Sequence, residues 1–85
     1  MRAKVFVSLK KTVLDPQGQT IHAALSGLGY GAVVGVRQGK YFELTLASGL
    51  TDDAARSEIE RLARDVLTNP VIEEFSFQLL SEQEG

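Results

Sequence analysis

Two glycine-rich stretches have the residue types of phosphate-binding loops. Residues 27–32 (GLGYGA) formally match the dinucleotide fingerprint G-x-G-x-x-A, and residues 35–41 (GVRQGKY) look like a shortened P-loop. Such loops bind phosphate between a strand and the N-terminus of a helix, where free backbone N–H groups face the ligand. Here the first stretch ends a helical pattern, and the second lies between two strand patterns and has no Ser or Thr after its lysine. The sequence therefore predicts a helix end and a turn at these places rather than a nucleotide site.

The side chains that could act as acids, bases or metal ligands are few and scattered. His22 is the only histidine and there is no cysteine, which excludes a disulfide, a Cys/His zinc site and a cysteine nucleophile. Asp52 and Asp53 stand at a predicted helix start, where carboxylates complement the helix dipole. Glu73 and Glu74 are neighbours on a predicted strand, so their side chains point to opposite faces. We predict no catalytic, cofactor-binding or metal-binding residue in this chain.

Alternating apolar residues predict four strands, and apolar residues three and four apart predict two helices. The predicted strands cover residues 3–10, 32–38, 40–47 and 71–80. The first helix should begin at Asp15-Pro16, with Asp15 as N-cap, and the second at Thr51. Gly39 between the second and third strands predicts a tight hairpin.

Each predicted helix has one apolar stripe to bury. In the first helix the stripe consists of Ile21, Ala24, Leu25 and Leu28, and in the second of Ala55, Ile59, Leu62, Ala63 and Val66. The element order β-α-β-β-α-β predicts an α+β, ferredoxin-like fold, with both helices on one face of an antiparallel sheet. The other face should expose Phe6, Val33, Tyr41, Ile72 and Leu80. We expect this face, or a sheet edge, to contact another subunit.

The composition limits the classes of partner. The chain has 85 residues, a net charge of -2 and a pI near 5.3, which argues against nucleic-acid binding. No apolar stretch approaches the roughly 20 residues that cross a bilayer, so we expect no membrane contact and a cytoplasmic protein. We expect one domain over residues 1–80 and a polar tail at 81–85. A core this small is marginal by itself, and association is a common remedy.

Three stretches resemble the PurS family of phosphoribosylformylglycinamidine synthase. They are residues 7–10 (VSLK) leading to 13–18 (VLDPQG), residues 36–40 (VRQGK), and residues 67–73 (LTNPVIE). Their order and spacing match along nearly the whole chain. The resemblance implies a non-catalytic accessory subunit whose partners are a large synthetase subunit and a glutaminase subunit.

The resemblance also implies the reaction of the assembly. Formylglycinamide ribonucleotide is converted to formylglycinamidine ribonucleotide, with glutamine as nitrogen donor and with ATP and magnesium bound by the large subunit. This chain would hold no cofactor. It would bridge the other subunits, assist ammonia transfer, and form a homodimer or larger homo-oligomer. Among the polar residues of the matching stretches, we predict partner contacts for Lys10, Arg37 and Lys40.

Other proteins that share this element order remain as alternatives. An ACT-like regulatory domain would bind an amino acid at a dimer interface. An acylphosphatase-like enzyme would need an arginine after the first strand, where this chain has Lys10-Lys11. An RNA-binding module is opposed by the charge and by the lack of basic residues around Phe6 and Tyr41.

Overall fold

Three strands, two helices and one π-helical segment make up the computed structural model, which describes residues 1–80. In chain order the elements are β1 (Arg2–Leu9), α1 (Pro16–Gly27), β2 (Gly39–Thr45), α2 (Asp52–Leu62), a π-helical segment (Ala63–Leu67) and β3 (Glu73–Leu80). The predicted tail at 81–85 lies outside the described residues.

The strands form one antiparallel sheet with β1 in the middle, in the order β2-β1-β3. Val5 lies opposite Phe42 on one side and Phe77 on the other. The alternating residues Ala3, Val5 and Val7 are buried, as strand periodicity requires when one face is covered. The α+β class and the antiparallel sheet are thus confirmed.

Helix α2 supplies the cover for that face. Thr51 caps the helix, because its Oγ1 accepts a hydrogen bond from the backbone N of Ala54 at 3.1 Å. Ala55, Ile59 and Ala63 are fully buried, and Ile59 and Ala63 pack in one cluster with the buried residues of β1. Both the predicted cap and this part of the predicted apolar stripe are confirmed.

The stripe changes direction where α2 becomes π-helical. Val66, predicted to be buried, is 75% exposed, while Leu67 packs against the core. A π-turn closes hydrogen bonds five residues apart instead of four, so it rotates the residues after it around the helix axis. The prediction for Val66 was wrong because it assumed regular α spacing through residue 67.

No strand forms over residues 32–38 in the single chain, in contrast to the prediction. Gly39 is the first residue of β2, opposite Ser8, and only Gly29 and Gly49 have positive φ in the described part of the chain. Two-residue hairpin turns require positive φ. The chain therefore runs extended through Gly39 instead of turning back, and Val33 does not lie on the open face of the sheet.

Helix α1 begins and ends as predicted but does not cover the sheet. Asp15 caps its start, and Gly29 beyond its end has φ +97°. Within the helix only Gly18 is buried, while Ile21 and Leu28 are 40% and 74% exposed. The expectation that both helices share one face of the sheet is therefore wrong for the single chain, and α2 covers that face alone.

The molecule is elongated as a result. Its radius of gyration is 16.3 Å and its longest dimension 51 Å, whereas a compact chain of this length would have a radius of gyration near ~12 Å. An eight-residue strand is only about 26 Å long. The remaining length comes from residues 16–38, which comprise α1 and the segment after it and which we name the arm. Neither helix in residues 1–80 is long and apolar enough to cross a membrane.

Candidate partner interface

The two ends of the arm meet where residues 15–18 lie beside residues 36–38, a region we name the arm root, and one carboxylate holds them together. Asp15 is 4% exposed, and its Oδ1 and Oδ2 accept hydrogen bonds from the backbone N of Gly18 at 3.0 Å and of Gln38 at 2.8 Å. These bonds, that from Gln38 foremost, hold the pKa of Asp15 below its usual value. A single ionised side chain therefore ties the first turn of α1 to the last residue of the arm.

Arg37 fixes the same root from the other side. Its guanidinium donates to the backbone carbonyl oxygens of Leu9 at 3.3 Å, Lys10 at 2.9 Å and Val13 at 3.2 Å. These three acceptors, at the end of β1 and in the loop after it, match the fork of donors that arginine presents. Arg37 thereby joins the segment between β1 and α1 to the segment that leads into β2.

An ion pair between Lys40 of β2 and Glu73 of β3 lies at the end of the sheet next to Asp15 and Arg37. Lys40 Nζ lies 3.4 Å from Glu73 Oε2, with the lysine side chain 60% exposed and the glutamate 11% exposed. Glu73 Oε1 also accepts from the backbone N of Asn69 at 2.7 Å, which holds the turn before β3. The mostly buried carboxylate thus has both a charged and a backbone partner.

A recess of about 200 Å³ lies where these groups meet. Its polar wall consists of Asp15, Gln17, Gln38, Lys40 and Glu73. The recess is open on one side and is lined by both charge signs. It could accept a polar side chain from another protein.

The structure brings the three predicted contact residues to this same end of the sheet. Arg37 is engaged with backbone carbonyls and Lys40 with Glu73. Over residues 1–80 the ammonium group of Lys10 makes no ion pair. Of these three residues, Lys10 therefore has the side-chain charge that is most available to a partner protein. Partner contact by Lys10, Arg37 and Lys40 stays a prediction.

The uncovered face of the sheet carries the aromatic residues that the sequence predicted there. Phe6 and Tyr41 are 44% and 48% exposed, and their rings stack with centroids 5.3 Å apart. The Tyr41 hydroxyl donates to Glu43 Oε1 at 2.8 Å, and this bond raises the pKa of Tyr41. An exposed aromatic pair surrounded by polar side chains is typical of a contact surface.

The remaining chemical groups do not converge. His22 Nε2 donates to the backbone carbonyl of Val33 at 3.0 Å, inside the arm. In the described part of the chain no three His, Asp or Glu side chains lie together as a metal site would require.

Sequence reasoning missed the contacts that hold the arm. The Asp15-Pro16 pattern predicted a local cap, but the bond to Gln38 joins residues 23 positions apart. One usable signal was present: residues 16–36 contain no Asp, Glu, Lys or Arg, whereas the chain average of 24% charged residues would place about five there. Depletion of charged residues is a general feature of the buried centre of protein interfaces.

Comparison with known proteins identifies the family. The PurS family, described as phosphoribosylformylglycinamidine (FGAM) synthase, matches residues 2–81. A phosphoribosylformylglycinamidine synthase subunit PurS from Mycobacterium leprae is 44% identical over 75 residues, which are 88% of this chain and 90% of that protein.

Solved structures give the same result. PurS from Bacillus subtilis aligns with a TM-score of 0.81 at 38% identity, covering 94% of this chain and 98% of that chain. PurS from Methanocaldococcus jannaschii, described as one of the subunits of formylglycinamide ribonucleotide amidotransferase, aligns with a TM-score of 0.80 at 32% identity, covering 91% of this chain and 92% of that one. These matches do not favour an ACT-like domain. The chain belongs to the PurS family of phosphoribosylformylglycinamidine synthase.

Proposed function

We propose that this chain is the non-catalytic PurS subunit of phosphoribosylformylglycinamidine synthase in purine biosynthesis, and that it bridges the synthetase and glutaminase subunits. Family membership over residues 2–81 carries this proposal. The distribution of side chains agrees with it, because the polar groups of the arm root hold the fold together instead of converging on a reacting centre.

In this proposal the reaction takes place on the other subunits. The synthetase binds ATP, magnesium and formylglycinamide ribonucleotide, and the glutaminase releases ammonia from glutamine. This chain binds no cofactor and works with them in the cytoplasm, as a homodimer or larger homo-oligomer. Its role is to keep the two active sites in contact so that ammonia passes between them.

Reconstitution tests the proposal. Synthetase and glutaminase subunits of one organism are mixed with and without this chain, and formation of formylglycinamidine ribonucleotide is measured with glutamine or with ammonium as nitrogen donor. A bridging subunit is required with glutamine and dispensable with ammonium, since free ammonia needs no transfer. Equal glutamine-dependent rates with and without the chain would contradict the proposal.

Charge reversal tests the predicted contacts at the arm root. Lys10→Glu should weaken binding to the other subunits without unfolding the chain, because the Lys10 ammonium has no ion pair within residues 1–80. Lys40→Glu would also repel Glu73, so it is paired with the exchanged variant Lys40→Glu/Glu73→Lys. Arg56→Glu, on the exposed side of α2, is the control. Unchanged binding of Lys10→Glu in a pull-down would remove Lys10 from the interface.

A further inference from the structure

The sheet face that α2 does not cover, which we name the open face, carries a row of cationic side chains along its central strand. In β1 the buried residues Ala3, Val5 and Val7 alternate with outward-facing residues. These are Arg2, Lys4, Phe6 and Ser8. Lys10 continues the row, because its backbone N donates to the carbonyl oxygen of Ile72 at 2.8 Å and so extends the register of β1 with β3 by one pair.

The cations of this row have no anionic partner within the chain. Over residues 1–80 none of Arg2, Lys4 and Lys10 forms an ion pair. Glu43 lies opposite Lys4 in the ladder of β1 and β2, but its Oε1 accepts a hydrogen bond from the hydroxyl of Tyr41 at 2.8 Å. The three positive charges are therefore available to an anionic group of another molecule.

The open face is the positive side of an acidic protein. Residues opposite each other in a ladder share a face, which places Glu43 and Glu74 on the open face beside Lys4 and Ser8. With the three cations of the β1 row, the strands give this face a net charge of +1, whereas the whole chain has a net charge of -2. A protein that binds here through charge therefore has an acidic surface.

An aromatic anchor lies in the middle of this charged row. Phe6 and Tyr41 are nearly half exposed, and their rings stack with centroids 5.3 Å apart. Beside Phe6 the surface has a hollow of about 300 Å³, which Ser8, Glu74 and Ser76 also line. Exposed aromatic side chains within a polar and charged rim have the composition of a protein-binding surface.

We infer that the open face binds an acidic segment of another subunit of the synthase. Carboxylates of that segment pair with Lys4 and Lys10, and one of its apolar side chains packs on the Phe6–Tyr41 pair. The row from Arg2 to Lys10 is about 27 Å long, so an extended segment of about eight residues spans it. A protein segment is favoured over a nucleic acid, because the net charge of -2 on the chain repels a long polyanion. The inference rests on the proposed function, which supplies the partner subunits.

The first test compares two pairs of cations. Titration calorimetry measures the affinity of the chain for the synthetase and for the glutaminase subunit, at low and at physiological salt. Lys4→Gln/Lys10→Gln should lower the affinity for one subunit about 3–10-fold and flatten its salt dependence, because exposed ion pairs are lost. Arg56→Gln/Arg61→Gln is the matched control, since it removes two cations from the exposed side of α2. Equal losses in the two double variants, or no loss in the first, overturn the inference.

The second test removes the aromatic anchor. Phe6→Ala should lower the same affinity about 10–100-fold, as expected of an aromatic side chain at the centre of an interface. Phe6→Leu keeps an apolar side chain and should give a smaller loss, and urea denaturation checks that both variants are folded. Val66→Ala is the control, because Val66 is exposed and apolar but lies in the π-helical segment. Wild-type affinity of Phe6→Ala, or an effect only on the mass of the isolated chain, overturns the inference.

Two further outcomes separate the inference from its alternatives. Fluorescence anisotropy with a single-stranded RNA of mixed sequence should show no binding at physiological salt, and RNA binding that Lys4→Gln/Lys10→Gln abolishes would overturn the protein occupant. Open-face variants with wild-type affinity for both subunits would overturn the inference and leave the accessory role standing, provided that the wild-type chain is required for glutamine-dependent synthesis. If the wild-type chain is dispensable for that synthesis, the proposed function fails instead.

Discussion

The two helices have nearly the same length and opposite surfaces. α1 has 12 residues and no charged side chain, and it buries only Gly18. α2 has 11 residues, six of them charged, and buries Ala55 and Ile59. α2 therefore has the composition of a helix between its own sheet and water, whereas α1 has the composition of a helix between two protein surfaces.

The attachment of the two helices differs as well. α2 is held by burial of apolar side chains against β1 and β3. The arm is held mainly at its root, by the carboxylate of Asp15 and the guanidinium of Arg37. Apolar burial secures a helix along its whole length, while a polar root fixes only where an element leaves the sheet and in which direction.

The largest expected loss of stability distinguishes the buried apolar stripe of α2 from the exposed apolar stripe of α1. Ile59→Ala should lower the free energy of unfolding by about 2–5 kcal/mol, because Ile59 is fully buried and the variant leaves a cavity. Ile21→Ala should cost less than about 1 kcal/mol at protein concentrations where single chains predominate, because Ile21 is 40% exposed and alanine favours the helix. Urea denaturation measures both. Equal losses at low concentration would show that α1 packs within its own chain.

A second comparison uses two glycines of α1. A Cβ at Gly18 would lie 2.5 Å from the carbonyl oxygen of Val36 and 2.6 Å from Oδ2 of Asp15, so Gly18→Ala should destabilise the arm root by about 1–3 kcal/mol. Gly27→Ala meets no atom within 4 Å and should stabilise the helix by up to about 1 kcal/mol. Thermal unfolding measures both changes. Effects of the same sign would mean that the arm root is not closely packed.

The third prediction concerns pH and applies to the arm alone. Folding holds the pKa of Asp15 below its ordinary value of 3.8, so its ionised form stabilises the folded state above that pH. This stabilisation is lost as the pH falls through the folded-state pKa. The loss of stability between about pH 5 and pH 2 should therefore be smaller in Asp15→Asn than in the wild type. Urea midpoints across this range give the comparison, and identical pH profiles would contradict it.

The smallest effect is expected on the exposed side of α2. Arg61 pairs with Glu58 at 2.7 Å, but the two side chains are 65% and 54% exposed. Water and salt screen such pairs, so Arg61→Ala should change the free energy of unfolding by less than about 0.5 kcal/mol. A loss well above that value, measured by urea denaturation, would assign this face of α2 a packing role.

Much of the fold could be predicted from local patterns. The alternation around Val5, the caps Asp15 and Thr51, and the buried Ile59 follow from rules that involve residues within one turn or one strand. The open-face pair Phe6 and Tyr41 was predicted for the same reason, since period-two alternation assigns a face without knowledge of the partner strand.

The errors lie where a local pattern has more than one three-dimensional outcome. A glycine between two strand patterns is compatible with a turn or with a straight continuation, and contact with β1 selected the second at Gly39. Val66 became exposed through a single π-turn that its spacing did not reveal. The recess at the arm root escaped prediction because Asp15, Lys40 and Glu73 come from three separate parts of the chain.

By itself, the sequence determined the antiparallel sheet, both helix starts and the lack of charge over residues 16–36. These properties depend on side-chain type and on spacing over a few residues, which the chain carries in any conformation. Only the tertiary structure decided that the arm points away from the sheet, because that direction depends on contacts of Asp15 and Arg37 with backbone groups more than 20 positions away.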